Sequence, residues 1–467
     1  MQNARDALIG EFGAERVLVE PAAIAPFLDT WFHDETGAAL AVLRPRETAE
    51  VQAMVRACAR LGLGIVPQGG NTGLVGGGLP RDAGAHVCIS LGRMNRIRAL
   101  EPDDYSVVAE AGCILQAVKE AAAERDLFLP VSIGAQGTAQ IGGIVSTNAG
   151  GINVLRWGMT REQVLGLEVV LPDGSLWDGL STLRKNNTGP DLKQLFIGAE
   201  GTFGIITAAA LRLVPWPTST AAALIGMPDI AATMRTFHRA RRDCSDMLSA
   251  FEFLMPRAME IAIANLPDAP RLDSAAGTYA LVELAAPGPI DLKAILETFL
   301  AGALEDGIVT DGIVAASEAQ ARRIWALREA VNEGQARRGP FLRSDVSVRL
   351  GLIPEFVAET CAAIEREVPG AETVAYGHFG DGNVHLNIIG PLDATPAEAE
   401  DLFHRAKDVL NAAVDRRGGS ISAEHGIGRM KRADFDARLS APSRALLASL
   451  KTALDPDGRM NPGALHT

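Results

Sequence analysis

The chain has 467 residues, room for two or three domains, and its balance of 47% hydrophobic and 22% charged residues excludes a disordered polymer. A formal net charge of −13 sets it against phosphate backbones and anionic lipid, so nucleic acid and the membrane surface are excluded as general partners. No apolar run approaches the ~20 residues that cross a bilayer, the five scattered cysteines form no CxxC pair and fit a reducing compartment, and MQNARDALIGEFGAERV lacks the apolar core of a secretory signal. A soluble cytoplasmic enzyme is the expectation.

The first 215 residues are rich in strand and glycine signals. AALAVL (38–43) reads as a strand. Val51, Met54, Val55, Cys58 and Leu61 recur at helical spacing, and Gly62 and Gly64 stop that helix. GIVPQGG then runs from strand into loop. A second unit follows: strand YSVVAEAG (105–112), helix ILQAVKEAAAERD, strand LFLPVS. LGLEVVLPDGSLWDG is a hairpin turning at Pro172-Asp173-Gly174, and GIITAAALRLV (204–214) closes the region. WPTST (216–220) reads as a linker. Beyond it, strands ALIGM, AFEFL, YALVEL and VAYGHF alternate with helices near 229–242, 290–304, 317–336, 353–367 and 396–417. That pattern predicts an antiparallel sheet with helices on one face. A last helix (441–454) precedes DPDGRMNPGALHT.

PQGGNTGLVGGG (67–78) directly follows a strand. Successive glycines let backbone N–H groups converge on an anion without Cβ obstruction, and a pyrophosphate is the natural guest. A flexible surface loop is the competing reading. The chain has neither GxGxxG nor GxxxxGK[ST], so a Rossmann NAD site and a nucleotide hydrolase lack support. IGAQGTAQIGGIVSTNAGG (133–151) and IGAEGTFGIIT (197–207) add two more small-residue loops, which suits one extended ligand such as FAD.

These three segments, with KNNTGPDLKQLFIGAEGTFGIIT (185–207), resemble the FAD-binding signatures of the vanillyl-alcohol oxidase superfamily. Within it the chain is similar to the D-2-hydroxyglutarate dehydrogenase family and its D-lactate and glycolate relatives, over nearly its whole length. The resemblance implies an α+β fold of two lobes. The FAD-binding domain would be 1–215 (core about 38–215), a substrate- and metal-binding domain with an antiparallel sheet 216–425, and a C-terminal segment 426–467 would return to the flavin. It implies FAD contacts from Gly69, Gly70, Asn71, Thr72, Gly73, Ser132, Gly137, Thr138, Gly142, Gly143, Thr147, Asn148, Gly150, Gly151, Ile205 and Asn461. Some relatives attach the flavin through a histidine where this chain has Asn71, so non-covalent FAD is expected.

YGHFGDGNVHLN (376–387) contains Asp381-Gly382, a favoured two-residue hairpin turn. If that is the loop, His378 faces His385 directly and Tyr376 faces Asn387 on the same side of the strands. Two imidazoles so placed chelate one metal. In AEHGIGRMK (423–431), Glu424 offers a third ligand and His425 is its neighbour. The resemblance places the metal ligands on His378, His385 and Glu424 and the catalytic base on His425. Zinc suits this set, and manganese, iron or cobalt would also bind it. His33, His86, His238, His404 and His466 read as ordinary surface or hydrogen-bonded residues.

The expected reaction is oxidation of a D-2-hydroxy acid. The metal lowers the pKa of the hydroxyl, His425 takes its proton, and the hydride passes to the flavin. By resemblance, Arg328, Asn332, Arg343 and Asn387 bind the substrate, with Arg343 and Asn332 replacing the family's usual lysine and threonine. Ordinary salt bridges are the competing reading for the two arginines. Two cations suit a dicarboxylate, D-2-hydroxyglutarate above all. D-lactate or D-malate dehydrogenase activity, or a flavin-binding subunit without turnover of its own, are the alternatives. The family passes electrons to an electron-transfer flavoprotein or a quinone, and relatives are often homodimers.

Overall fold

The computed structural model describes residues 2–31 and 35–465, so His33 and His466 lie outside the described residues. The chain divides into two compact units. One is Met1–Gly150 with Gly158–Pro215 and Glu424–Thr467, the other Gly151–Trp157 with Trp216–Ala423. These bounds depart from the expected ones at 151–157, which join the second unit, and at 424–425, which join the first. The first departure has a local cause: the short helix Val154–Trp157 packs on the strand Leu248–Leu254, and the Arg156 guanidinium donates to the Ala285 carbonyl.

The first unit contains two main sheets. Ala38–Leu43, Arg81–Ser90 and Gly64–Gln68 are parallel neighbours, edged by Val17–Leu18. The helix Thr48–Leu61 buries the expected Val51, Met54, Val55 and Cys58, and stops at Gly62, whose φ of +67° suits glycine. The second sheet has five strands: Ile97–Glu101, Ser106–Glu110, Ile205–Arg212, Val164–Val170 and Leu176–Gly179 in spatial order, each antiparallel to the next. Its last two strands form the expected hairpin about Gly174 (φ +79°). Of the expected strand LFLPVS only Leu127–Phe128 pairs, with Val214–Pro215.

Two carboxylates are buried in that five-stranded sheet. Glu168 accepts from Arg98 at 3.0 Å and from Thr48 and Thr207 at 2.7 Å, and Glu110 accepts from Arg96 at 2.9 Å. Burial alone would raise Glu168, but the Arg98 guanidinium and the two hydroxyls outweigh it and hold the carboxyl below its usual range. A lowered folded-state pKa contributes stability that is present above the unfolded value, about 4.3, and is lost as pH falls through the folded value. Glu168→Gln is therefore expected to cost roughly 1.5–3 kcal/mol at neutral pH and to flatten the acid limb of stability. Denaturant unfolding at neutral and acid pH checks this; an unchanged acid limb would contradict it.

The second unit is built on eight antiparallel strands, ordered Asp311–Val314, Ser219–Met227, Thr278–Ala286, Leu248–Leu254, Glu372–His378, Asn383–Ile389 and Phe341–Leu342, with Val346–Ser347 also pairing with Asn383–Ile389. The expected helices form at Ile230–Asp243, Leu292–Glu305, Glu318–Arg337, Ile353–Glu367 and Pro396–Arg416. The last starts with a Thr395/Glu398 capping box. The expectation of helices on one face is corrected: they cover both. Ala223, Ile225, Phe251, Phe253, Val282 and Leu386 face one core with the helices at 230–243, 292–305, 353–367 and 396–416. Their strand neighbours Leu224, Leu254, Leu281, Val374 and Tyr376 face another, with Pro256–Asn265 and Glu318–Arg337. The strands are apolar on both faces, so both require cover.

Candidate active site

In the first unit the glycine loops meet one another. A Cβ on Gly70 would lie 2.0 Å from the Thr138 carbonyl oxygen, and one on Gly142 2.7 Å from the Ala111 Cβ. These glycines allow backbone to approach backbone. A Cβ on Gly73, Gly137 or Gly143 would instead meet nothing within 4 Å. Bare backbone beside open space is what a pyrophosphate cradle needs, so these residues fit the expected FAD. Thr72 and Ser132 stand half-buried in the same loops. Thr147 donates to the Gly143 carbonyl at 3.0 Å, Asn148 (φ +49°) accepts from the Arg161 N–H at 2.9 Å, and Asn71 (φ +54°) donates to the Asp29 carbonyl at 2.6 Å. Ile205 is buried at the head of a central strand. Gly150 ends the first unit's share of the second loop, and Gly151 begins the second unit.

This division between glycines is testable. Gly70→Ala is expected to push the loops apart at a cost of about 1–3 kcal/mol, lowering the melting temperature and releasing FAD. Gly73→Ala is expected to keep the fold and weaken FAD binding alone. Thermal unfolding and flavin stoichiometry read the two apart; a wild-type melting temperature for G70A would sink the argument.

The C-terminal segment returns to these loops. Asn461, buried with φ +45°, donates its side-chain amide to the carbonyls of Gly77 (3.0 Å) and Glu200 (2.6 Å) and accepts from Arg429 at 2.8 Å. It braces the first and third glycine loops. Glu200, from IGAEGTFGIIT, went unnoticed in the sequence. Its carboxylate accepts the N–H groups of Ile427 and Gly428, both at 2.8 Å. Burial pushes this carboxyl up, against the pull of those donors and of Arg429. Glu200 thereby pins the loop that opens with Glu424 and His425. Gly428 (φ +52°) admits no side chain there, because a Cβ would lie 2.1 Å from the Val75 carbonyl oxygen. The Glu424 side chain lies against Gly150, with Oε1 3.0 Å from where a Cβ would be.

The second unit gathers the other candidates on the sheet face that packs under the helix Glu318–Arg337. The hairpin register differs from the conditional two-residue turn. Tyr376 pairs with His385 and Val374 with Asn387, so the loop is Phe379-Gly380-Asp381-Gly382. Two distant contacts set it: the Phe379 N–H donates to the Phe251 carbonyl at 3.0 Å, and the Gly382 carbonyl accepts from Val348 at 3.1 Å. Phe379 is fully buried. A two-residue shift in the sum of paired numbers preserves the face, so His378 and His385 remain together, diagonal rather than opposite. Their ring centroids are 5.5 Å apart. His378 is anchored through Nδ1 to Glu252 at 2.6 Å and His385 through Nδ1 to the Ser344 carbonyl at 3.3 Å. Nε2 of each ring is then the nitrogen that a divalent metal would take, and the pair fits such an ion.

Around them lie the residues assigned to substrate. Arg328 is buried on the helix, donates through Nε to Glu252 at 2.9 Å, and stacks 4.6 Å over the Tyr376 ring. The Tyr376 hydroxyl donates to Asn332 Oδ1 at 2.5 Å and accepts from Asn387 Nδ2 at 3.0 Å. Asn387 Oδ1 in turn accepts the Ser344 N–H at 2.9 Å. Arg343 is exposed and stacks 4.6 Å over Phe341. Two residues here escaped the sequence reading, Glu252 and the role of Tyr376. Glu252 had a signal: it is the one charge in LSAFEFL, a strand buried along its whole length. Burial by itself would raise Glu252, but His378 and Arg328 outweigh it and hold the carboxyl below its usual range. The remaining described histidines lie elsewhere: His86 accepts from the Arg81 N–H, His238 is on the helix Ile230–Asp243, and His404 is exposed beside the Glu400 carbonyl.

Known proteins share both units. A family described as FAD binding domain matches residues 39–179, and one described as FAD linked oxidases, C-terminal domain, matches residues 216–465. The chain is 38% identical over 449 residues to the mitochondrial D-2-hydroxyglutarate dehydrogenase of Bos taurus, covering 96% of this chain and 80% of that one. It is 38% identical over 452 residues to the D-2-hydroxyglutarate dehydrogenase of Xanthomonas citri pv. viticola, covering 97% and 94%. The chain belongs to the D-2-hydroxyglutarate dehydrogenase family. It is thus an FAD-dependent D-2-hydroxyacid dehydrogenase acting on a CH–OH donor. Among solved structures it resembles p-cresol methylhydroxylase, with a TM-score of 0.78 at 16% identity over 99% of this chain and 96% of that one. The 4-ethylphenol oxidase of Gulosibacter chungangensis gives 0.74 at 18% identity, over 100% and 97%. These likenesses show the fold, the α+β vanillyl-alcohol oxidase type. Among the described residues, no helix is long and apolar enough to cross a membrane.

Proposed function

We propose that the chain oxidises D-2-hydroxyglutarate to 2-oxoglutarate, using His425 as base and a divalent metal, zinc by preference, on His378, His385 and Glu424. The observation that carries this reading is the buried sheet face on which two Nδ1-anchored imidazoles stand beside Arg328, Asn332, Tyr376 and Asn387. Bound FAD supplies the two-electron acceptor for the hydride, and a bound metal supplies Lewis acidity toward the hydroxyl and its neighbouring carboxylate. The rest falls to the chain's own residues. His425 takes the hydroxyl proton. Tyr376 holds the Asn332 carbonyl and the Asn387 amide, orienting both for the substrate. Arg328 and Arg343 bind the far carboxylate, and burial of His378, His385 and Asn387 keeps water from competing.

Glu252 opposes the charge of Arg328, which favours a second reading to be tested alongside: a D-lactate or D-malate dehydrogenase. The test is anaerobic mixing of the yellow, metal-loaded protein with D-2-hydroxyglutarate, D-malate, D-lactate and their L-isomers while following flavin absorbance. Fastest bleaching by D-2-hydroxyglutarate is expected. Bleaching by D-lactate alone would transfer the assignment to that acid, and no bleaching would support a flavin-binding subunit. Non-covalent FAD, an electron-transfer flavoprotein or quinone as acceptor, and a homodimer belong to the same proposal on the strength of the family. So does a cytoplasmic location, which the five unbridged cysteines favour.

A further inference from the structure

Glu252 is buried at the centre of the second unit's sheet, and one carboxylate serves two partners. Oε1 meets His378 Nδ1 at 2.6 Å and Oε2 meets Arg328 Nε at 2.9 Å. Those partners arrive from different elements, the strand Glu372–His378 and the helix Glu318–Arg337. The backbone registers them as well, since Glu252 pairs directly with His378 across the sheet. We propose that Glu252 is a positioning residue that couples the metal site to the substrate's distal carboxylate, by fixing His378 and Arg328 with the same group. This rests on the reading of His378 as a metal ligand and Arg328 as a substrate residue.

The physical argument has two parts. An imidazole donating Nδ1–H to a carboxylate is fixed in the tautomer whose Nε2 carries the lone pair, and its ring is held at one angle; such partners are worth about 10–100-fold in metal affinity or activity. A guanidinium that gives Nε to the carboxylate and stacks on Tyr376 has its position fixed by both contacts, so the carboxylate takes part in aiming it. A residue serving only to neutralise buried Arg328 would need neither the short contact to His378 nor the cross-strand pairing with it. The sharing predicts that metal affinity and the KM of a dicarboxylate change together, although the two functions use different side chains.

The experiment uses the FAD-loaded full chain and Zn(II), competed against a chromophoric chelator. Wild type is expected to hold one zinc per chain. Glu252→Gln cannot accept from both partners as an anion, and is expected to bind zinc roughly 10–100-fold more weakly with unchanged FAD stoichiometry, while the KM for D-2-hydroxyglutarate rises more than that for D-lactate. Leaving Arg328 buried without its counter-charge could unfold E252Q, so the double variant E252Q/R328M removes both charges. It is expected to keep the zinc defect, whereas R328M alone is expected to bind zinc as wild type does. Wild-type zinc affinity in E252Q or in the folded double variant would overturn the inference while leaving the metal assignment intact. Absence of stoichiometric zinc in wild type would overturn both.

Discussion

His425→Ala is expected to retain FAD and metal while slowing flavin reduction by about 10²–10⁴-fold, the usual range for removing a general base. Retention follows from where the side chain sits in the sequence of contacts. The loop after it is held by backbone, through the Ile427 and Gly428 N–H groups on Glu200 and the contact of Gly428 with Val75. None of these uses the imidazole, so alanine leaves the loop anchored and the glycine cradle untouched. The loss should appear in the reductive half-reaction under anaerobic conditions. Normal flavin reduction would remove His425 from the mechanism.

The second large effect concerns the metal. His385→Ala should lower metal affinity on the order of 100-fold or more, since a ligand counts for more than the partners that orient it. FAD should stay bound, because its expected loops belong to the other unit. The structural cost should be modest: His385 keeps its place in the ladder opposite Tyr376 through its backbone, and the side chain forfeits its contact with the Ser344 carbonyl. Metal content by elemental analysis, with flavin stoichiometry alongside, separates this from unfolding. Unchanged metal content would take His385 out of the ligand set.

The contrast between these residues and Glu252 shows which parts of the site a sequence displays. His378 and His385 stand in one short segment, and they share a face because the observed turn departs from the expected one by an even shift of two; a one-residue shift would have separated them. Their register did not follow from Asp381-Gly382, because turn preference is weak beside burying Phe379 and pairing its N–H with the Phe251 carbonyl. The helices over 230–243, 318–337 and 396–416 are legible because apolar spacing and caps are local. Their distribution over both faces is not, because it depends on which strand residues meet which helix.

Glycine makes the same point inside one motif. Gly70 and Gly73 lie in one run and are indistinguishable by type, yet one admits the Thr138 carbonyl and the other faces open space. Local chemistry in the chain order, meaning glycine runs, paired histidines, helix caps and apolar periodicity, is enough to suggest an extended phosphate-bearing ligand and a histidine-bearing hairpin, and the family resemblance is what implies FAD and the enzyme. The sharing of Glu252 between His378 and Arg328, the hold of Glu200 on the His425 loop and the bracing of two glycine loops by Asn461 join segments far apart in the chain. Such contacts have no local signature: a buried carboxylate or amide finds its partners only when packing brings them within hydrogen-bonding distance, and leaving one unpaired costs about 1–5 kcal/mol.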